Sequence, residues 1–188
     1  MSLNDKIIYG LERVSDAFKT LLWEKAKDQG ISPIQIQLLL FIANHKTSLA
    51  NVTQLAIEFN VTKPTISDAI KVLIKKKYLI KDHSSADSRS YYLLISQEGE
   101  KLVQTISSYS LPFQKALSKA NEKDLEVLYS SITVLISELN KRGVIQIQRS
   151  CLSCRFHNGE ANNHFCNLLN QKLTNVDIRL DCADHEPT

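Results

Sequence analysis

Two stretches of this chain repeat apolar residues at alternating steps of four and three. Ile7, Leu11, Val14, Phe18 and Leu21 form the first, and Leu125, Leu128, Ile132, Leu135 and Leu139 the second. That spacing draws a narrow apolar seam along one side of an α-helix, and such a seam needs a partner helix over its whole length. Gly30 and Gly143 stand where the two helices should end, since glycine accepts the left-handed conformation of a helix stop. Two seams this long exceed what one small core requires, so they predict a homodimer.

Between the seams the pattern shortens. Ser32-Pro33 is a helix start, with serine as cap and proline in the first turn. Ile36, Leu39, Leu40, Ile42 and Ala43 make this helix largely apolar, hence buried, as far as Asn44-His45. Asn51 and Gln54 suit a capping box, and Leu55, Ala56 and Phe59 face inward. After a turn at Asn60-Val61 a further helix begins, with Thr62 as cap and Pro64 early. Its inward set is Ile66, Ile70 and Leu73, which leaves Lys63, Thr65, Ser67, Asp68 and Lys71 pointing outward or sideways. Tyr78-Leu79-Ile80, the turn cluster SSADS and the alternating SYYLLIS predict a hairpin. Leu102, Ile106, Tyr109 and Phe113 then line a helix face, with a break expected at Pro112.

Charge follows this organisation. The whole chain of 188 residues carries only +3. Lys63–Arg89, however, holds seven Lys/Arg against three Asp, whereas from Ser150 onward three Lys/Arg face five Asp/Glu. A basic middle suits a polyanion, although a solvated helix face would carry the same charges. An apolar content of 43% is enough for a packed core. No stretch approaches the roughly 20 apolar residues of a membrane span, and the first residues do not read as a signal peptide, so a cytoplasmic protein is expected.

Helix, turn, second helix and hairpin form the order of a DNA-reading head. In a helix-turn-helix the second helix enters the major groove with its N-terminal residues against base edges. Lys63, Thr65 and Ser67 occupy that place, lysine being able to donate to guanine. Lys71 and Lys75–Lys77 suit phosphates. Thr53 and Gln54, at the start of the preceding helix, are further candidates for backbone contact. At the hairpin tip, Arg89 could enter the minor groove, with Asp87 orienting it.

The stretches SPIQIQLLLFI, VTQLAIEFNVTKPTISDAIKVLIKKKYLIK and DSRSYYLLISQEGEKL resemble the MarR family of bacterial winged-helix repressors. The matching positions are Leu55-Ala56, Thr65-Ile66-Ser67, Leu73, Asp87-Ser88-Arg89 and Gly99, and the likeness runs from the first helix to Gly143. Two positions depart from the family: Lys77 stands where glycine is frequent, and Ser90 where a second arginine is usual. The resemblance implies a homodimer on a short pseudo-palindromic stretch of double-stranded DNA. It also implies repression tuned by a small aromatic or oxidising effector. Tyr9, Trp23, Tyr109 and Phe113 are candidates for an effector pocket, although aromatics at helical spacing also serve as core.

Every cysteine of the chain lies beyond this resemblance: Cys151, Cys154, Cys166 and Cys182, spaced C-x2-C-x11-C-x15-C. A close pair grips one metal from a tight turn, and two distant thiolates can complete a tetrahedron, as in structural zinc sites. A tail of about 40 residues is near the lower limit for folding without such a staple. Zinc is therefore the expected cofactor, with a four-iron–four-sulfur (4Fe–4S) cluster as the alternative. His157, His164 or His185 could substitute for one thiol. Loss of the metal on oxidation could make the tail a sensor.

The expected fold is mainly α with a small β-wing. Residues 1–145 form a winged helix-turn-helix flanked by long dimerisation helices, with the reading head at about 31–96. Residues 146–188 form a small metal-stapled C-terminal extension. A DNA-binding transcriptional regulator, not an enzyme, is the function expected. The alternatives are a metal-dependent or thiol-redox enzyme centred on the cysteines, and a winged-helix module that binds protein.

Overall fold

The computed structural model describes residues 1–83, 91–160 and 163–188. They form two compact units: residues 1–55 with 62–115, and residues 56–61 with 116–188.

The first unit opens with α1 (Leu3–Gln29), which ends at Gly30 in the left-handed conformation the sequence anticipates. Its seam residues Ile7, Leu11, Val14 and Phe18 are all exposed in the single chain. The next helix is α2 (Pro33–Asn44), and Gln35 Oε1 accepts from the Ser32 N–H at 2.8 Å. Ile36, Leu38 and Leu39 of α2 are fully buried, and the Gln35 side chain donates to the Ala69 carbonyl at 3.3 Å. The helix-turn-helix consists of α3 (Val52–Glu58) and α4 (Lys63–Lys75). Asn60, in the turn between them, sits at φ 50°, a conformation asparagine tolerates better than most residues. Ile66, Ile70 and Leu73 of α4 are buried, as the sequence predicts.

Strands β1 (Leu79–Asp82) and β2 (Tyr92–Ile95) pair antiparallel, with Leu79 opposite Ile95. The Leu93 N–H donates to the Ala50 carbonyl at 2.8 Å, fastening the returning strand to the segment before α3. Helix α5 (Gln97–Ile106) follows, then a 3-10 turn at Ser107–Ser110 and α6 (Leu111–Leu117). The break therefore falls ahead of Pro112. The proline stands in the first turn of α6, where its missing N–H has no partner to lose. The weak point is the Ser-Ser-Tyr-Ser run before it. Phe113 stacks on Phe18 of α1, ring centroids 3.7 Å apart.

The end of α4 explains one departure from the MarR pattern. The Lys77 N–H donates to the Ile74 carbonyl and the Tyr78 N–H to the Leu73 carbonyl, both at 2.9 Å. This pair of bonds places Lys77 at φ 62°, the position in this helix stop that usually carries glycine. A side chain in that conformation costs about 1–2 kcal/mol. Lys77→Gly should therefore stabilise the unit by about 0.5–1 kcal/mol, read as a higher urea midpoint.

The second unit holds α7 (Glu122–Lys141) and the cysteine-bearing segment. Asn121 caps α7 by accepting from the Asp124 N–H, and Gly143 follows its end at φ 73°. Three short strands, β3 (His157–Glu160), β4 (Asn163–Cys166) and β5 (Gln171–Leu173), form an antiparallel sheet. The chain then folds back on itself: the Cys151 N–H donates to the Arg179 carbonyl at 3.0 Å and the Cys182 N–H to the Arg149 carbonyl at 2.9 Å. The Tyr129 hydroxyl donates to the Ile178 carbonyl, tying α7 to this returning segment. Arg149 also pairs with Glu58 at 2.6 Å, and both side chains are largely buried.

Candidate nucleic-acid interface and four-thiol cavity

The N-terminus of α4 is built by its cap. Thr62 Oγ1 accepts from the Thr65 N–H at 3.3 Å and bonds the Thr65 hydroxyl at 2.8 Å. Lys63 and Thr65 are exposed in this first turn, while Ser67 is half-buried on the flank. Lys71 is exposed one turn further on, paired with Asp68 at 2.9 Å. Asp68's hydrogen bond and charge raise the Lys71 ammonium above its ordinary value, and the pair stands in open solvent, where a competing anion can replace the aspartate. Lys75, Lys76 and Lys77 continue the basic face, all exposed.

Thr53 and Gln54 are exposed at the start of α3, but the Gln54 N–H already donates to Asn51 Oδ1 at 3.0 Å. The wing tip with Asp87 and Arg89 lies outside the described residues. Lys81 at the wing base escaped the sequence reading; its ammonium stands 4.2 Å from the centre of the Tyr91 ring. Alternation gave no signal for it, because it puts Lys81 on the same face of β1 as buried Leu79, and only the structure shows Lys81 exposed.

The four cysteines meet at one cavity. Cys151 and Cys154 come from a 3-10 turn capped by the wholly buried Ser150, Cys166 from the end of β4, and Cys182 from the returning segment. Phe156, His157, Leu168, Leu169, Leu173, Arg179 and Asp184 complete the lining. The Arg179 N–H donates to Cys151 Sγ at 3.3 Å, and its guanidinium reaches Cys182 Sγ at 3.8 Å. Burial pushes the Cys151 thiol up, the Arg179 amide opposes this, and the nearness of Cys182, Cys166 and Cys154 pushes it up again.

The three histidines have other partners. His157 Nε2 lies 3.0 Å from His164 Nδ1, and His185 Nε2 lies 3.1 Å from the Ser153 hydroxyl. Burial, with His164 beside it, holds the His157 imidazole below its ordinary pKa. The effector candidates are dispersed: Trp23 lines an open groove with Gly30, Ser32 and Pro33, Phe113 stacks on Phe18, and the Tyr9 hydroxyl accepts from Arg13. Among the described residues no helix is long and apolar enough to cross a membrane.

A helix-turn-helix (α3 and α4) followed by an antiparallel hairpin (β1 and β2) is the arrangement of a winged helix. Residues 29–90 match the MarR family model, so this stretch is similar to that family, and the fold around it is that of a winged helix. Solved structures agree on the fold. The Staphylococcus aureus MepR–DNA complex superposes with a TM-score of 0.60 at 21% identity, covering 74% of this chain and 99% of that one. A MarR transcriptional regulator from Methanosarcina mazei gives 0.62 at 18% identity, covering 73% and 98%. The regulator Tm0710 from Thermotoga maritima gives 0.52 at 22%, covering 74% and 97%. Nearly all of each relative is thus accounted for, while a part of this chain is not. No match is found among curated proteins.

Proposed function

We propose that this protein is a DNA-binding transcriptional regulator that acts as a homodimer and represses by occupying a pseudo-palindromic site. The observation that carries this reading is the first turn of α4, a capped helix start presenting Lys63 and Thr65 to solvent ahead of the Lys75–Lys77 run. A structure of this fold, MepR, has been solved on DNA. The seams of α1 and α7 support the dimer, because Ile7, Leu11 and Val14 in the first unit and Leu128 and Leu135 in the second are exposed and a solvated apolar stripe of this length favours association. Two recognition helices related by a two-fold axis would then read two half-sites one helical turn apart.

Anisotropy titration of a duplex from upstream of the protein's own coding sequence tests the reading. Lys63→Ala should weaken binding by about tenfold or more, the loss of one good base contact being about 1–3 kcal/mol. The loss should be much smaller on an unrelated duplex. Equal losses on both duplexes would make Lys63 a phosphate contact, and no loss on either would remove α4 from the interface.

A further inference from the structure

The cavity in the second unit makes demands on its occupant that the cysteine spacing does not. All four thiols line it, and none is in a disulfide. Yet among the described residues no group of three cysteine, histidine or carboxylate donors converges closely enough to hold a single metal ion. The thiols instead surround a space. It measures about 30 Å³, two to three times what one water needs.

Geometry separates the two metals raised by the sequence. A tetrahedral zinc site holds its sulfurs about 2.3 Å from the ion. A sulfur touching a water-sized body stands further off, at about 3.2 Å, the sum of the two radii. Thiols that surround such a body must therefore close in before they can share one zinc ion. A cubane cluster needs no such collapse, because its irons are displaced outward from its centre and carry the thiolates with them. The lining is also of the right kind. Phe156, Leu168, Leu169 and Leu173 provide apolar walls. The Arg179 N–H and guanidinium supply hydrogen bonds to Cys151 and Cys182, the contacts by which a protein neutralises cluster sulfur charge and sets its potential. Among the described residues His157 is the histidine on the cavity; its Nε2 is turned to His164, so only its Nδ1 is left to compete with the four thiols.

We propose that Cys151, Cys154, Cys166 and Cys182 hold a 4Fe–4S cluster, with Arg179 as a positioning residue that donates to two of its thiolates. The reading does not depend on DNA binding. The full chain, purified without oxygen and reconstituted with ferrous iron and sulfide, should contain about four irons and four acid-labile sulfides per chain. It should be brown, and none of its thiols should react with a disulfide reagent until ferricyanide destroys the cluster. Cys166→Ser should lose the iron. Should that variant fail to fold, Arg179→Ala still decides: it should keep the iron and sulfide but titrate at a lower reduction potential, having lost one donor to sulfur. A chain that binds one zinc and takes up no iron overturns the proposal, as does one iron without sulfide. An unchanged potential in Arg179→Ala removes the role given to Arg179.

Discussion

If the protein binds DNA as proposed, its affinity for the upstream duplex should fall by about 10³–10⁵ between about 50 and about 200 mM salt, as expected when six to ten phosphates are neutralised. Each reading head brings exposed Lys63, Lys71, Lys75, Lys76, Lys77 and Lys81, so a dimer carries more than enough cations for that slope. Two of them have local partners, Lys71 with Asp68 and Lys81 over the Tyr91 ring, but Asp68 is solvated and competes weakly with a phosphate. The measurement is log Kd against log salt on the upstream duplex. A steep line supports the polyanion reading of the basic middle. A flat one favours the winged helix as a protein-binding module, because the +4 balance of Lys63–Arg89 would then be ordinary surface charge.

Local features of the fold were legible in the sequence because their causes are local. The stop at Gly30, the cap at Thr62 and the buried face of Ile66, Ile70 and Leu73 each depend on residues within one or two turns. The heptad seams were equally plain, although Ile7, Leu11, Val14, Phe18, Leu128 and Leu135 are left exposed. The three-stranded sheet of the second unit was not legible. Asn-His-Phe-Cys, the sequence of β4, contains no β-branched residue, and what holds it is pairing on both sides, to β3 and to β5. The cavity was half legible. Four clustered cysteines suggested one site, but the room between them depends on pairings such as Cys151 with Arg179 and Cys182 with Arg149, which no periodicity announces. The ion pair of Arg149 with Glu58 spans 91 positions and was invisible for the same reason.

Gly99 shows how a matching residue becomes an explained one. Its resemblance to the family's helix-start glycine gives it a place but no cause. The structure supplies the cause: a Cβ at residue 99 would lie 2.2 Å from the Tyr78 carbonyl oxygen and 2.9 Å from the Ile95 side chain. Ile95 can turn aside, but Tyr78 cannot easily do so, because its carbonyl accepts the Ser96 N–H at 3.1 Å. Ser96 in turn caps α5 through the Gly99 N–H at 3.0 Å and donates to the Lys77 carbonyl. One added methyl group must therefore separate the start of α5 from the segment entering β1, at the base of the wing. Gly99→Ala should cost about 3 kcal/mol, the upper end for overpacking, and lower the midpoint of thermal unfolding followed by circular dichroism by about 10–20 °C. DNA affinity, measured well below that midpoint, separates two consequences. If it is kept, Gly99 serves packing alone; if it falls in protein that is still folded, the angle of the wing is set here. A midpoint that moves by less than about 2 °C would mean that the Tyr78 peptide can rotate away, and that the approach at this point constrains nothing.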